Sequence, residues 1–326
     1  MTVKNVSSSH SSEVSKAIKP TKKYLTLTVI ARHALSFLAI LSAGLAITSA
    51  ILFFHMAIPS AFTALIIASL AFGIFSLAII YPSIQSHLPE PLQKISEMVS
   101  SIVKEFFSLF MTLGAITYGL MAKNKDPSPT GDHPILLVHG YGMNFGHFSY
   151  LKYCLKKNNV GPIYAINLGN PFSSIDDYAK QISAKVDQIH KKSAGKVTII
   201  GHSMGGVAAA RYLANCRESI SIEQLITLGS PLQGTYVAYL GLGKSAAEMC
   251  PHSPFLNQLE KDLALKDIPI TTVGSQWDCI IIPNNNALFN AVPSDKCIFN
   301  SMGHNNYLFS DLIVQLILNK IPRNYD

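Results

Sequence analysis

The sequence predicts an α/β protein over residues 131–326, with a mostly parallel sheet covered by helices on both faces, preceded by an all-α membrane hairpin. Three observations predict it. Short apolar runs alternate with amphipathic helical patterns from residue 134 onward, one run ends in a serine flanked by glycines, and two uncharged 21-residue stretches precede them all. Strands that are apolar throughout rather than alternating belong to a parallel sheet buried on both faces.

The strand-like runs fall at 135–138, 163–167, 196–200, 225–228, 268–273 and 297–299, with helical patterns such as 174–192 and 305–318 between or after them. About 190 residues suffice for one core.

The run at 196–206 reads KVTIIGHSMGG. β-Branched Val197, Thr198, Ile199 and Ile200 come before Gly201-His202-Ser203-Met204-Gly205, and VAAARYLAN, good helix material, follows. A strand turning this sharply into a helix is a nucleophile elbow, which holds its serine in a strained conformation with the hydroxyl at the sheet's carboxyl edge. Ser203 is the candidate nucleophile. Gly201 and Gly205 are required where strand and helix pass closely, and Gly206 allows the same approach.

A serine so placed needs a base and an acid from loops at the same edge. Past the strand-like IPITTVGS stands Asp278, and past KCIFN stands His304. In this assignment His304 accepts the serine proton while Asp278 orients the imidazole and stabilises its charged form. The chain has 11 histidines and 19 acidic residues, so rivals exist. His202 should point away from the neighbouring hydroxyl, and His252 sits beside proline in a loop. Asp267 precedes the strand that Asp278 follows. Asp295 also lies between Ser203 and His304 but precedes its strand, so the edge argument favours Asp278.

Two backbone N–H groups should face the oxygen that becomes negative in a tetrahedral intermediate. Met204, opening the helix after the serine, supplies one. The other is expected from PILLVHGYG at 134–142, where an apolar strand ends in His139-Gly140 and makes Tyr141 the candidate. His139 is expected to pack and hydrogen-bond beneath this loop.

Together LLVHGYG, TIIGHSMGG and TLGSPLQGT (227–235), followed by Asp278 and His304, resemble the α/β-hydrolase lipases and esterases, especially the bacterial triacylglycerol lipase group. The resemblance covers about residues 134–321 and implies an α/β-hydrolase fold, a serine, acid, histidine chain order, and an oxyanion hole from Tyr141 and Met204. Phe148 stands where many relatives carry tryptophan, a difference of packing rather than chemistry.

Between 235 and 263 the apolar YVAYLGLG, then CPHSPF and NQLEKDL, form an insertion between elbow and acid. It reads either as a substrate cap or as an ordinary packed part of the core.

Residues 34–54 and 61–81 are each long enough to cross a hydrocarbon core as a helix. They lie too far from the start, and too close together, for a cleaved leader, and Ser42, Gly44, Ser49, Ser69 and Gly73 allow close packing as a hairpin. Residues 83–130 form an amphipathic and apolar helix with a linker. Its apolar stretch 106–122 can cross the membrane, lie in its surface or pack on the hydrolase domain; Lys123 and Lys125 at its end favour the last two.

Residues 1–32 hold six Lys or Arg and one acidic residue, which directs a polar, Ser-rich tail to the cytoplasm. Two spans return the catalytic domain to that side, whereas three put it outside. A Ser-rich start before two close hydrophobic lobes also resembles the inclusion-membrane proteins that some intracellular bacteria export, which implies that both ends face a host cytosol. From residue 33 onward 20 basic residues balance 18 acidic ones, so nucleic-acid binding is excluded. Five scattered cysteines without metal or redox spacing fit a reducing compartment.

The sequence therefore leads to the expectation of a membrane-anchored serine hydrolase of lipid-like carboxylic esters, needing neither metal nor organic cofactor. A thioesterase or acyltransferase on the same residues, and a membrane tether without turnover, are the alternatives.

Overall fold

The computed structural model describes residues 90–128, 131, 133–193, 195–216 and 222–322. The basic tail, both 21-residue runs and the inclusion-membrane pattern lie outside the described residues. The described chain opens with helix α1 (Glu90–Met121). Six strands follow: β1 (Ile135–Val138), β2 (Ile163–Ile166), β3 (Val197–His202), β4 (Ile222–Leu228), β5 (Ile270–Ser275) and β6 (Asp295–Phe299). They form one sheet in the order β2-β1-β3-β4-β5-β6, every pairing parallel.

Successive residues of a strand point to opposite faces, so an all-apolar strand serves two cores at once. In β1, Leu136 and Val138 enter one core while Ile135 and Leu137 enter the other. The first core is closed by α3 (Ile175–His190), through Tyr178, Ile182, Val186 and Ile189, and by α4 (Met204–Asn215). The second is closed by α2 (Ser149–Lys157), through Leu151 and Leu155, and by α7 (Asp311–Lys320), through Ile313, Val314 and Ile317. Each such Leu or Ile, fully buried, contributes about 2 kcal/mol from water exclusion.

The helix pattern at 305–318 resolves into two pieces. A 3-10 turn (Asn305–Phe309) ends at Ser310, whose extended backbone (φ −106°, ψ 125°) breaks the helix before α7 begins. Tyr307 and Leu308 are thereby driven into the second core beneath the strand ends.

The 106–122 stretch falls almost wholly within the end of α1. Residues 108–121 pack on the loop after β1: Asn144 Nδ2 donates to the Ile116 carbonyl at 3.1 Å, and the Tyr118 and Phe145 rings meet edge-on at 6.0 Å. A Cβ at Gly146 would stand 2.2 Å from the Ala115 carbonyl oxygen, so glycine there lets the helix come in. The stretch Gln93–Met121 is long and apolar enough to cross a membrane, with mean hydropathy 1.5.

Candidate active site

β1 sits between β2 and β3, so the chain runs from β1 to one side and, after β2, continues from β3 to the other. Loops leaving the carboxyl ends of β1 and β3 diverge at such a switch point and open a crevice. Gly140-Tyr141 leaves β1 there, and Ser203 leaves β3.

Ser203 has φ 54° and ψ −128°, a left-handed φ that costs a non-glycine residue about 1–3 kcal/mol. Its neighbours hold it: the Ser203 N–H donates to the Leu228 carbonyl at 2.9 Å, and its own carbonyl accepts from Gly206 N–H at 3.0 Å. The glycines have the steric role the sequence predicts. A Cβ at Gly201 would lie 2.4 Å from Gly206 Cα, and one at Gly205 would lie 2.3 Å from the Val138 carbonyl oxygen.

Asp278, in the loop after β5, is 1% exposed. Its Oδ1 accepts from the N–H groups of Ile280 and Ile281 at 2.9 and 3.0 Å, and its Oδ2 lies 2.9 Å from His304 Nδ1. A carboxylate can only accept, so the imidazole Nδ1–H donates and the neutral ring carries its lone pair on Nε2. His304 and Ser203 line the same cavity.

His202 supports this pair from below. Its ring lies 4.8 Å from that of His304, and its Nε2–H donates to the His304 carbonyl at 3.0 Å. Burial, with the nearby His304 charge second, holds the His202 pKa well below its ordinary value. Tyr307 packs beside both rings.

The rival residues lie elsewhere. Asp295 opens β6 at the amino edge, largely exposed and paired with Lys320; Asp267 precedes β5; His252 is exposed in a loop. His139 is buried beneath the loop after β1. Its Nε2 accepts from Leu168 N–H at 3.0 Å while its Nδ1–H donates to the Gly140 carbonyl at 2.9 Å, and burial lowers its pKa to about 4.

Met204 opens α4, so its N–H is among the four that no intrahelical carbonyl can reach. The Tyr141 loop abuts the nucleophile, since a Cβ at Gly140 would lie 2.9 Å from Ser203 Cβ. Tyr141 has a further part that sequence reasoning missed. Its hydroxyl donates to the Leu242 carbonyl at 2.8 Å and accepts from Leu242 N–H at 3.1 Å.

The insertion divides in two. Its first part, a 3-10 turn (Tyr236–Leu240) and α5 (Lys244–Glu248), lines a cavity of about 350 Å³ whose walls include Met143, Val237, Leu240, Met249 and Ile281. Its second part, α6 (Pro254–Leu263), is a core helix: Ser253 caps it by accepting from Leu256 N–H at 3.2 Å, and Leu256, Leu259 and Leu263 are buried. Thr235 ties the cap to the acid loop, its hydroxyl donating to the Ile280 carbonyl and accepting from Ile282 N–H at 3.0 Å. Its place at the end of TLGSPLQGT was the only trace of this in the sequence.

The arrangement can present a serine hydroxyl, an imidazole fixed by a buried carboxylate, and backbone donors at one end of an apolar cavity. Among the described residues no group of three or more His, Cys, Asp or Glu could hold a metal ion. None of the five cysteines is joined in a disulfide.

The family model described as palmitoyl protein thioesterase matches residues 134–268, which takes in Tyr141, Ser203 and Met204 and stops before Asp278 and His304. A comparison with curated proteins finds no match. Among solved structures, lipase B of Aspergillus fumigatus superposes with TM-score 0.53 at 16% identity, over 59% of this chain and 52% of that one. The chain therefore spans about half the length of the Aspergillus lipase. Mature lipase BlEst2 of Bacillus licheniformis gives TM-score 0.50 at 16% identity, over 61% of this chain and 95% of that one. The strand order, the all-parallel pairing, the elbow and these likenesses agree: the chain carries the α/β-hydrolase fold.

Proposed function

We propose that this protein is a serine hydrolase that cleaves carboxylic esters of lipid-like molecules through an acyl-enzyme. The observation that carries the reading is that Ser203, in its strained elbow, and His304, bonded to buried Asp278, line one apolar cavity. Ser203 Oγ attacks the ester carbonyl as His304 Nε2 takes its proton, and Asp278 stabilises the imidazolium. The N–H groups of Tyr141 and Met204 hold the oxyanion. Collapse expels the alcohol, which takes the proton back from His304. Water, deprotonated by the same ring, then releases the acid and frees Ser203. A cavity of about 350 Å³ with apolar walls suits an acyl chain rather than a polar head group.

A second reading, thioester cleavage by the same residues, is favoured by the palmitoyl protein thioesterase match. The chemistry differs only in the leaving group.

The protein acts at a membrane in this reading, held by the apolar runs at 34–54 and 61–81. Packing of residues 108–121 leaves 90–107 as the rest of α1, and that segment carries Glu90, Lys94, Glu97, Lys104 and Glu105. Five charges in 18 residues favour a two-span anchor, with amino terminus and catalytic domain both on the cytoplasmic side.

The test is hydrolysis of matched oxygen esters and thioesters, over short and long acyl chains, by detergent-solubilised wild type and Ser203→Ala. Loss of at least about a thousandfold in turnover is expected on removing the nucleophile. Equal activity of the two proteins would overturn the reading, and the preferred leaving group separates its two forms.

A further inference from the structure

A second cavity of about 550 Å³ runs between the end of α1 and α2, away from Ser203. Phe110, Met111 and Tyr118 form one wall and Tyr153 stands on the other, and all four keep between 45% and 63% of their surface in water. Beyond the groove Leu120 and Met121 are 78% and 83% exposed. A continuous apolar surface of this kind on a water-soluble face marks a place where something else binds.

The charge of its lining identifies the occupant. Lys152 and Lys156, one turn apart on α2, line the groove, and among the described residues neither forms an ion pair. Asp126, the carboxylate whose charge reaches Lys152, is already paired with Lys185 and Lys192. Burial, with the like charge of Lys156 second, holds the Lys152 pKa below its ordinary value. Lys123 and Lys125 follow at the end of α1. Apolar side chains rimmed by unpaired lysines complement an anionic bilayer surface, where acyl chains take the former and phosphates the latter.

We infer that the groove between α1 and α2 is a membrane-docking face, seated on the headgroup region of an anionic bilayer and distinct from the acyl cavity at Ser203. This rests on the membrane-anchor part of the proposed function and is independent of its chemistry. Docked this way, the catalytic domain is held against the bilayer.

The full chain is reconstituted in vesicles of phosphatidylcholine, with or without phosphatidylglycerol, containing lipids brominated at shallow or deep acyl positions. Trp277, the one tryptophan, is replaced by Phe, and a reporter is placed by Met111→Trp or, should that variant misfold, Tyr153→Trp. Leu265→Trp, 86% exposed just beyond α6, is the water-facing control. Shallow bromines are expected to quench the groove reporter and not the control. Phosphatidylglycerol should raise that quenching at least about twofold, and K152E/K156E should abolish the rise. A reporter no more quenched than the control overturns the inference, as does quenching mainly by deep bromines, which means that α1 spans. Blue-shifted but unquenched emission also overturns it and points to a protein partner. Failure of the chain to stay with the vesicles overturns both this inference and the membrane anchor.

Discussion

The Nε2–H of His202 donates to the carbonyl oxygen of His304 at 3.0 Å while the two rings lie 4.8 Å apart, so the residue beside the nucleophile fixes the backbone of the base. His202 is wholly buried and stays neutral, which keeps a second positive charge from opposing a protonated His304. His202→Phe keeps a ring in the space and removes the donor. Losing this bond and leaving a buried carbonyl unpaired costs about 1–3 kcal/mol. Turnover should fall about 10- to 100-fold, in kcat more than in KM. Steady-state kinetics with circular dichroism to verify folding checks this; unchanged kcat would remove His202 from the account.

Stability should fall on acidification. His139 is held near 4 and His202 well below its ordinary value, both chiefly by burial, against 6.5 for the free ring. As pH falls the unfolded chain therefore takes up these protons first. The contribution of each neutral ring is complete above the unfolded value and is lost as pH drops toward the folded one, for His139 between 6.5 and about 4. Each histidine lowers stability by up to about 1.4 kcal/mol per pH unit there. Urea midpoints from pH 7.5 to 4.5 test it, with a shallower slope expected for His139→Gln. A flat wild-type profile would contradict the burial argument.

Gly205 meets the carbonyl oxygens of Val138 and His139, which a Cβ would approach to 2.3 and 2.5 Å. Backbone cannot yield as a side-chain tip can. Gly205→Ala should push the elbow off the end of β1, lowering stability by about 2–4 kcal/mol and activity with it. Thermal denaturation within about 2 °C of wild type would mean that α4 is not held so tightly against β1.

Tyr141 is asked to give its N–H to the oxyanion and its hydroxyl to Leu242 in the cap. Tyr141→Phe retains the peptide and loses the latch. The expected result is a roughly tenfold loss in kcat/KM for long acyl chains, with short chains nearly unaffected, because the latch shapes the cavity wall rather than the reacting atoms. A chain-length series measures it, and equal loss across the series would assign the hydroxyl a role at the carbonyl instead.

The parts legible in the sequence are those written locally. The run ILLV marks β1 because burial on both faces favours apolar side chains at every position, and the glycines around Ser203 mark the elbow because backbone atoms occupy the space a Cβ needs. Asp278 and Asp295 could be ranked by strand edge alone, and the two lie at opposite ends of their strands. Long-range fits were not legible. No periodicity announces that Ser310 breaks the last helix so that Tyr307 can sit under His304, or that the insertion divides between cavity wall and core helix. The contacts of the end of α1 depend on Asn144 and Gly146, nearly thirty residues downstream, where a side-chain bond and a missing Cβ admit the helix.

The most direct test of the central claim is covalent: react the detergent-solubilised protein with a fluorophosphonate and locate the adduct by peptide mass spectrometry. The account predicts stoichiometric modification of the peptide containing Ser203, lost in Ser203→Ala and strongly slowed in His304→Ala. Modification of a different residue, or none on a folded protein, would contradict it.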